Sequence, residues 1–296
     1  MNIPKENKLV LIDWNVFVFQ SMHAYRAMCN KKLSFIPHPG YLITQSIITC
    51  LKLIGIDNDD LVCIISDSRK SWRKLKDPSY KSNRKADREK QDSKEWWDNK
   101  FLIANEVKEA LSKSTPWIFL EQPTFEADDL IASCPLVFDN NKIIIVSIDS
   151  DLHQLADYKN VLVFSPKAKK YMHINNPLSL IDKKIECEKT DGLVAKVEIG
   201  NRDSKEYLLR KSLVDLVHLP NDISHLGKAI WQIVDYKMDF DYSLFPYPYL
   251  LDRLMKAYHV SEFPSTEPKT KVKRKRKSKE KQNILDFSPK IVYNVV

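Results

Sequence analysis

Ile143-Ile144-Ile145-Val146-Ser147-Ile148-Asp149-Ser150-Asp151 is the stretch whose reading decides the fold. A nearly unbroken β-branched run reads as a strand buried on both faces, as a parallel sheet covered by helices demands. Two acids follow at its end. Working outward, the same arrangement recurs: Lys8–Ile12 closes on Asp13, and Leu61–Ile65 closes on Ser66-Asp67. Trp117–Leu120 and Val161–Phe164 complete the strand-like runs, while helical stretches fit Pro39–Leu53, Ser93–Lys113 and Ala127–Val137. This β-α-β-α rhythm predicts an α/β fold with a doubly wound, mostly parallel sheet. Beyond Pro177 a charged stretch runs to Ser204, followed by helix-like runs at Lys205–Val217 and His225–Val234. The expected organisation is an α/β domain over 1–178, a small helical C-terminal region over 179–262, and a linker and tail over 263–296.

Three acids at three strand ends would converge at one edge, because open parallel sheets place their crevice beyond the carboxyl ends of the strands. A fourth element, Phe125-Glu126-Ala127-Asp128-Asp129, follows the Trp117–Leu120 run and begins a helix. Each acid alone is an ordinary turn or helix-start residue. Together, Asp13, Asp67, Glu126, Asp128, Asp129, Asp149 and Asp151 would repel strongly unless cations neutralise them. Hard oxygen donors with no Cys or His set point to Mg²⁺ or Mn²⁺, one or two ions, rather than zinc. Such clusters activate water and stabilise the leaving oxygen in phosphodiester hydrolysis.

Charge supplies the complementary half. The chain of 296 residues carries 47 Lys or Arg against 39 Asp or Glu, a net +8. Residues 269–281 hold nine basic side chains and one acidic, and Arg69–Lys90 holds ten against three, so the remaining body is acidic. That asymmetry favours a nucleic-acid partner. Arg69, Lys70, Arg73, Lys81, Arg84 and Lys85 would hold phosphates, and Trp72 and Tyr80 would stack on bases of a single strand. The basic tail would neutralise further phosphates without reading sequence. Five widely spaced cysteines give no CxxC pair, so neither a disulfide framework nor a structural zinc site is expected. The apolar runs are too short for a membrane span, and a cytoplasmic monomer is the expectation.

Taken together, these residues resemble the flap endonuclease / 5′-nuclease superfamily, and within it most closely the ribonuclease H of T-even phages. The resemblance rests on Leu11-Ile12-Asp13, Ile65-Ser66-Asp67, Trp72-Arg73, Tyr80-Lys81-Ser82-Asn83-Arg84, Phe125-Glu126-Ala127-Asp128-Asp129 and Ser147 through Leu155. It covers roughly residues 7–240. It implies a PIN-like nuclease fold with a helical arch over the site, removing 5′ flaps or RNA primers in replication. By motif, Asp13, Asp67, Asp128 and Asp149 match first-metal ligands, directly or through water. Glu126, Asp129 and Asp151 match the rest of the carboxylate shell, with Asp151 nearer a second metal. Lys81 and Arg84 match arch cations on the scissile phosphate.

The resemblance lapses after Pro177. The family's Gly-Asp-x-x-Asp-Asn motif, which adds second-metal ligands and opens a duplex-gripping helix–turn–helix, is missing between Pro177 and Arg210. A binding protein without turnover, and a PIN-type ribonuclease acting on single-stranded RNA, stay open as alternatives. In the tail, Gln282, Leu285 and Phe287 loosely resemble a sliding-clamp-binding peptide, and a single-strand-binding protein is another conceivable partner. Lys-Arg-Lys-Arg-Lys passes for a nuclear import signal, which the phage-like match makes unnecessary.

Overall fold

The computed structural model describes residues 7–84, 90, 92–186, 193, 201–234 and 241–258. All of these lie within one unit, Met1–Glu262. Lys85 and the tail positions Lys269–Lys281, Gln282, Leu285 and Phe287 therefore lie outside the described residues, as does part of the expected arch (85–89 and 91).

Five strands lie parallel: β1 (Leu9–Asp13), β2 (Leu61–Ile65), β3 (Ile118–Leu120), β4 (Ile143–Val146) and β5 (Val161–Ser165). A short β6 (Lys170–Tyr171) adds antiparallel to β5. The order is β3-β2-β1-β4-β5-β6. The chain winds outward from β1 to β3, then crosses back to β4 on the other side of β1. The topological switch thus falls between β1 and β4, where doubly wound sheets open their ligand crevice.

Burial on both faces explains the unbroken apolar runs. Leu9, Leu11, Cys63, Ile65, Ile143, Ile145, Val161 and Val163 face one core. Val10, Ile12, Val62, Ile64, Ile144 and Val146 face the other. The second core is roofed by α1 (Trp14–Asn30), α2 (Pro39–Ile54) and α4 (Lys94–Ser114), with α9 (Pro248–Ala257) packed beside them. Helix α1 has no counterpart in the sequence reading. Its first turn follows Asp13 directly, so one acid both ends β1 and sits at the N-cap of α1, and Phe17, Val18, Ser21 and Met22 supply the buried stripe.

The first core is covered by α5 (Ala127–Ser133), α6 (Ser179–Glu186), α7 (Lys205–Val214) and α8 (Asn221–Ile233). The helix expected over Ala127–Val137 tightens into a 3₁₀ turn at Cys134–Leu136, where Pro135 has no N–H to continue the α ladder. Helix α8 begins one turn earlier than its apolar pattern suggests, and it packs closely on α5. A Cβ placed on Gly227 would meet Ser133 Oγ at 2.1 Å, so only glycine permits the approach. Trp231 Nε1 completes the contact by donating to the Leu130 carbonyl at 2.8 Å.

Candidate active site

The acids of the strand ends meet as the topology requires. Asp13 closes β1 level with Ile65 of β2, and Ser66-Asp67 and Ser147-Ile148-Asp149 continue from β2 and β4. Strand β4 stops at Val146, short of the expected Ile148, because the chain turns inward at Ser147. The Ser147 hydroxyl donates to Asp13 Oδ2 at 2.9 Å and accepts from the Asp149 N–H at 3.0 Å. One hydroxyl thus ties the two acids across the switch point. Asp67 receives Asn15 Nδ2 and the Ala127 N–H, both at 2.7 Å, which fixes it between β1's helix and α5. Asp128, in the first turn of α5, is half-buried and lies within electrostatic reach of Asp149, Asp13 and Asp67.

Electrostatics separates these acids from their neighbours. Burial, helped by Asp67 and Asp149, pushes Asp13 up to about 7. Burial and then Asp149 raise Asp128 well above the carboxylate range, although Lys81 pulls the other way. Loss of hydration raises Asp67 too, with Glu126 and Asp129 adding to it and the Ala127 N–H and Lys81 opposing. Asp67 as a residue is exposed, so solvent screens its shift more than that of Asp13. No Lys or Arg among the described residues forms an ion pair with Asp13, Asp67, Asp128 or Asp149.

Glu126 and Asp129 meet the opposite environment. Burial alone would raise Glu126, but Lys81 Nζ at 2.8 Å and the Arg73 guanidinium outweigh it and hold the carboxyl at about 2. Asp129 is wholly buried. It accepts from Trp72 Nε1 at 3.0 Å and the Glu126 N–H at 2.9 Å, and its other oxygen lies 2.8 Å from Arg73. The oxygens of Asp129 are thus engaged by Trp72, Arg73 and the Glu126 N–H, an environment unlike that of Asp13 or Asp128.

The same cluster encloses three of the residues expected to contact nucleic acid, Trp72, Arg73 and Tyr80. Helix α3 (Trp72–Lys76) is drawn into the core because Trp72 N–H pairs with the Thr124 carbonyl at 2.8 Å and its indole pairs with Asp129. Arg73 is 1% exposed, and its Nε donates to the Leu213 carbonyl at 2.7 Å, joining α3, α5 and α7. Tyr80 is 3% exposed. None of the three offers a face to a base or phosphate. Arg69 and Lys70 are exposed directly after Asp67, and Arg84 is half-buried. Lys81, at a left-handed φ of 55°, carries its ammonium to Glu126 and within electrostatic reach of Asp67 and Asp128.

Several functional positions escaped the sequence. Ser147 and Asn15 carry no spacing signal that distinguishes them from turn and helix residues. Lys184 of α6 lies 2.5 Å from Asp151 Oδ1, and its charged surroundings in sequence hide it. Gln154 was legible only as part of a motif. Its amide donates to the Val214 carbonyl and accepts from the Leu216 N–H, clamping the chain after α7 to the turn Asp151–Asp157.

A divalent ion is the group this donor set suits. The donors are all oxygens, negative charge is unneutralised, and raised pKa values record the cost. Among the described residues no three acidic, His or Cys side chains form a ready-made cage.

Sheet order, switch-point crevice and carboxylate edge define a class: a doubly wound α/β protein with acids gathered at the carboxyl edge of its sheet. The family described as 5′-3′ exonuclease, N-terminal resolvase-like domain, matches residues 8–185, and the chain belongs to it. Among relatives, the ribonuclease H of Enterobacteria phage T4 is 34% identical over 125 residues, 41% of this chain and 40% of that protein. A 5′-3′ exonuclease of Mycoplasmopsis pulmonis is 28% identical over 214 residues, 69% of this chain and 67% of that protein. The match to the phage enzyme thus spans less than half of its length. Two solved structures share the fold. The T5 D15 protein co-crystallised with metal ions has a TM-score of 0.58 at 17% identity, covering 77% of this chain and 100% of that one. The bacteriophage T5 D15 flap endonuclease in a pseudo-enzyme-product complex with DNA and metal ions has 0.52 at 17% identity, covering 85% and 89%.

Proposed function

We propose that the chain is a divalent-metal-dependent 5′-nuclease that hydrolyses phosphodiester bonds near the 5′ ends of RNA primers or DNA flaps. The observation that carries this reading is the set Asp13, Asp67, Asp128 and Asp149. These four acids share a switch-point crevice with no cation of the described residues paired to them, while Glu126 and Asp129 beside them are paired with Arg73 and Lys81. Membership of the exonuclease family supports it, as do relatives named ribonuclease H and 5′-3′ exonuclease. A metal-ion requirement is supported by the donor chemistry and by a structural neighbour crystallised with metal ions.

Asp13, Asp67, Asp128 and Asp149 would hold the ion, Mg²⁺ with Mn²⁺ as substitute. The bound ion supplies positive charge to the phosphate oxygens and lowers the pKa of water for attack. Ser147 and Asn15 aim Asp13 and Asp67 at the crevice, and the α5 N–H at Ala127 keeps Asp67 from turning away. Lys81 and Arg84 approach from the chain segment beyond Asp67. Lys81 offers a cation whose charge Glu126 partly offsets, so a phosphate competes with Glu126 for it. Arg69 and Lys70 attract the strand at the mouth. The substrate would be DNA or RNA/DNA with a free 5′ end.

The test is cleavage of labelled 5′-flap, nicked, RNA-primed and free single-stranded RNA substrates by the full chain. Cutting of the first three in Mg²⁺ or Mn²⁺, lost in EDTA, is the expected result. Cleavage confined to free RNA would favour a PIN-type ribonuclease. Salt-sensitive binding to forks without hydrolysis in either metal would leave a binding protein.

A further inference from the structure

Besides Glu126 and Asp129, five acids reach the carboxyl edge, and one of these five differs. Asp13, Asp67, Asp128 and Asp149 have no ion-pair partner among the described residues, whereas Asp151 Oδ1 lies 2.5 Å from Lys184 Nζ. The Asp151 N–H donates to Asp149 Oδ1 at 2.9 Å, so this paired acid adjoins the unpaired set.

Lys184 is held in place by the fold. Helix α6 buries Ile181 and Ile185, and Arg210 of α7 donates to the Ile185 and Glu186 carbonyls at 3.2 and 3.3 Å. Those carbonyls end a helix and would otherwise lack partners. Arg210 is itself 3% exposed and anchored to Glu206 at 3.1 Å. The Lys184 and Asp151 side chains keep only 12% and 23% of their surface, so the pair is screened less than a surface pair.

Phosphodiester hydrolysis by two metals places the ions about 3.5–4 Å apart, each needing carboxylate oxygens of its own. At this edge the fifth carboxylate is already neutralised by an ammonium built into the chain. An ammonium balances charge and donates N–H groups, but it brings one positive charge and no coordination shell.

Resting on the nuclease reading above, we infer that Lys184 takes the place of a second divalent ion. The carboxyl edge binds one hard cation through Asp13, Asp67, Asp128 and Asp149, and Lys184 supplies the remaining fixed positive charge beside Asp151. Lys184 is in this sense a positioning residue for the charge balance of the edge.

Counting bound ions tests this directly. Full-length chain is titrated with Mn²⁺, following free Mn²⁺ by electron paramagnetic resonance and heat by calorimetry. Wild type is expected to bind one ion and Lys184→Ala two, the second more weakly. Lys184→Arg should stay at one, and Lys184→Ala combined with Asp151→Asn should return to one. Asp151→Asn alone should leave the single ion's affinity within about threefold of wild type. Two ions in wild type, or one in a Lys184→Ala protein with wild-type circular dichroism, overturns the inference and leaves the nuclease reading standing. If Lys184→Ala does not fold, a loss of more than tenfold in affinity for Asp151→Asn overturns it instead. No ion in wild type removes the metal-dependent reading itself.

Discussion

Two groups of acids stand side by side at the carboxyl edge of one sheet, and the protein treats them oppositely. Glu126 and Asp129 are saturated with Arg73, Lys81 and the Trp72 indole. Asp13, Asp67 and Asp128 are left crowded and raised, with the Asp149 charge adding to the crowding of Asp13 and Asp128. The first group costs the fold little, because its charges are paired; the second stores repulsion that an added cation would release. Neighbouring carboxylates in one motif, Glu126 and Asp128, thus sit in different electrostatic environments. What divides them is which oxygens the protein has already used.

That contrast is easiest to break by substitution. Asp149→Ala should reduce flap cleavage by at least about a hundredfold, given the leverage of groups that stabilise a transition-state charge. The metal-free variant should melt at or above the wild-type temperature; a large fall would place Asp149 in the compensated group. Arg73→Ala should do the reverse, costing about 3–5 kcal/mol in chemical denaturation by leaving Glu126 and Asp129 buried and unpaired. If that variant keeps wild-type stability, the structural role of the pair is wrong.

Gly227→Val probes the support behind both groups. Overpacking against Ser133 should cost about 1–3 kcal/mol and displace α5, lowering cleavage along with stability. A smaller effect is expected from pH. Asp13 ionises near 3.8 when unfolded and at about 7 when folded, so it binds a proton more tightly in the fold. Its contribution is present below about 4 and is lost as pH rises towards about 7, giving a metal-free melting temperature that declines over that window. Saturating Mg²⁺ should flatten the decline. Glu126, held at about 2, runs the opposite way: its stabilisation is present above its ordinary 4.5 and disappears as pH falls towards about 2. The smallest expected change is Thr124→Asn, which relieves a β-branched residue at φ 70° and should stabilise by about 1 kcal/mol or less.

The sheet was legible because its signal is local. Runs such as Ile143–Val146 can be stable only when buried on both faces, and turn chemistry placed Asp13, Asp67 and Asp149 at strand ends. Helix α1 was not legible, since Asp13 at its N-cap reads equally as a strand-end turn residue and its buried stripe depends on the sheet beneath. Trp72, Arg73 and Tyr80 read as a nucleic-acid surface because basic and aromatic side chains in sequence look alike whether they face solvent or core. Their burial follows from Asp129 and the Leu213 carbonyl, partners 57 and 140 residues from Trp72 and Arg73.

By itself, then, the sequence determined the parallel sheet, the carboxylate edge and the charge asymmetry of the chain. These follow from hydrophobic period, strand-end turns and composition, all properties of short segments. Only the tertiary structure decided which carboxylates remain available. That depends on Ser147, Asn15, Arg73, Lys81 and Lys184 arriving from distant parts of the chain, and on burial, which sets how strongly each arrival is felt.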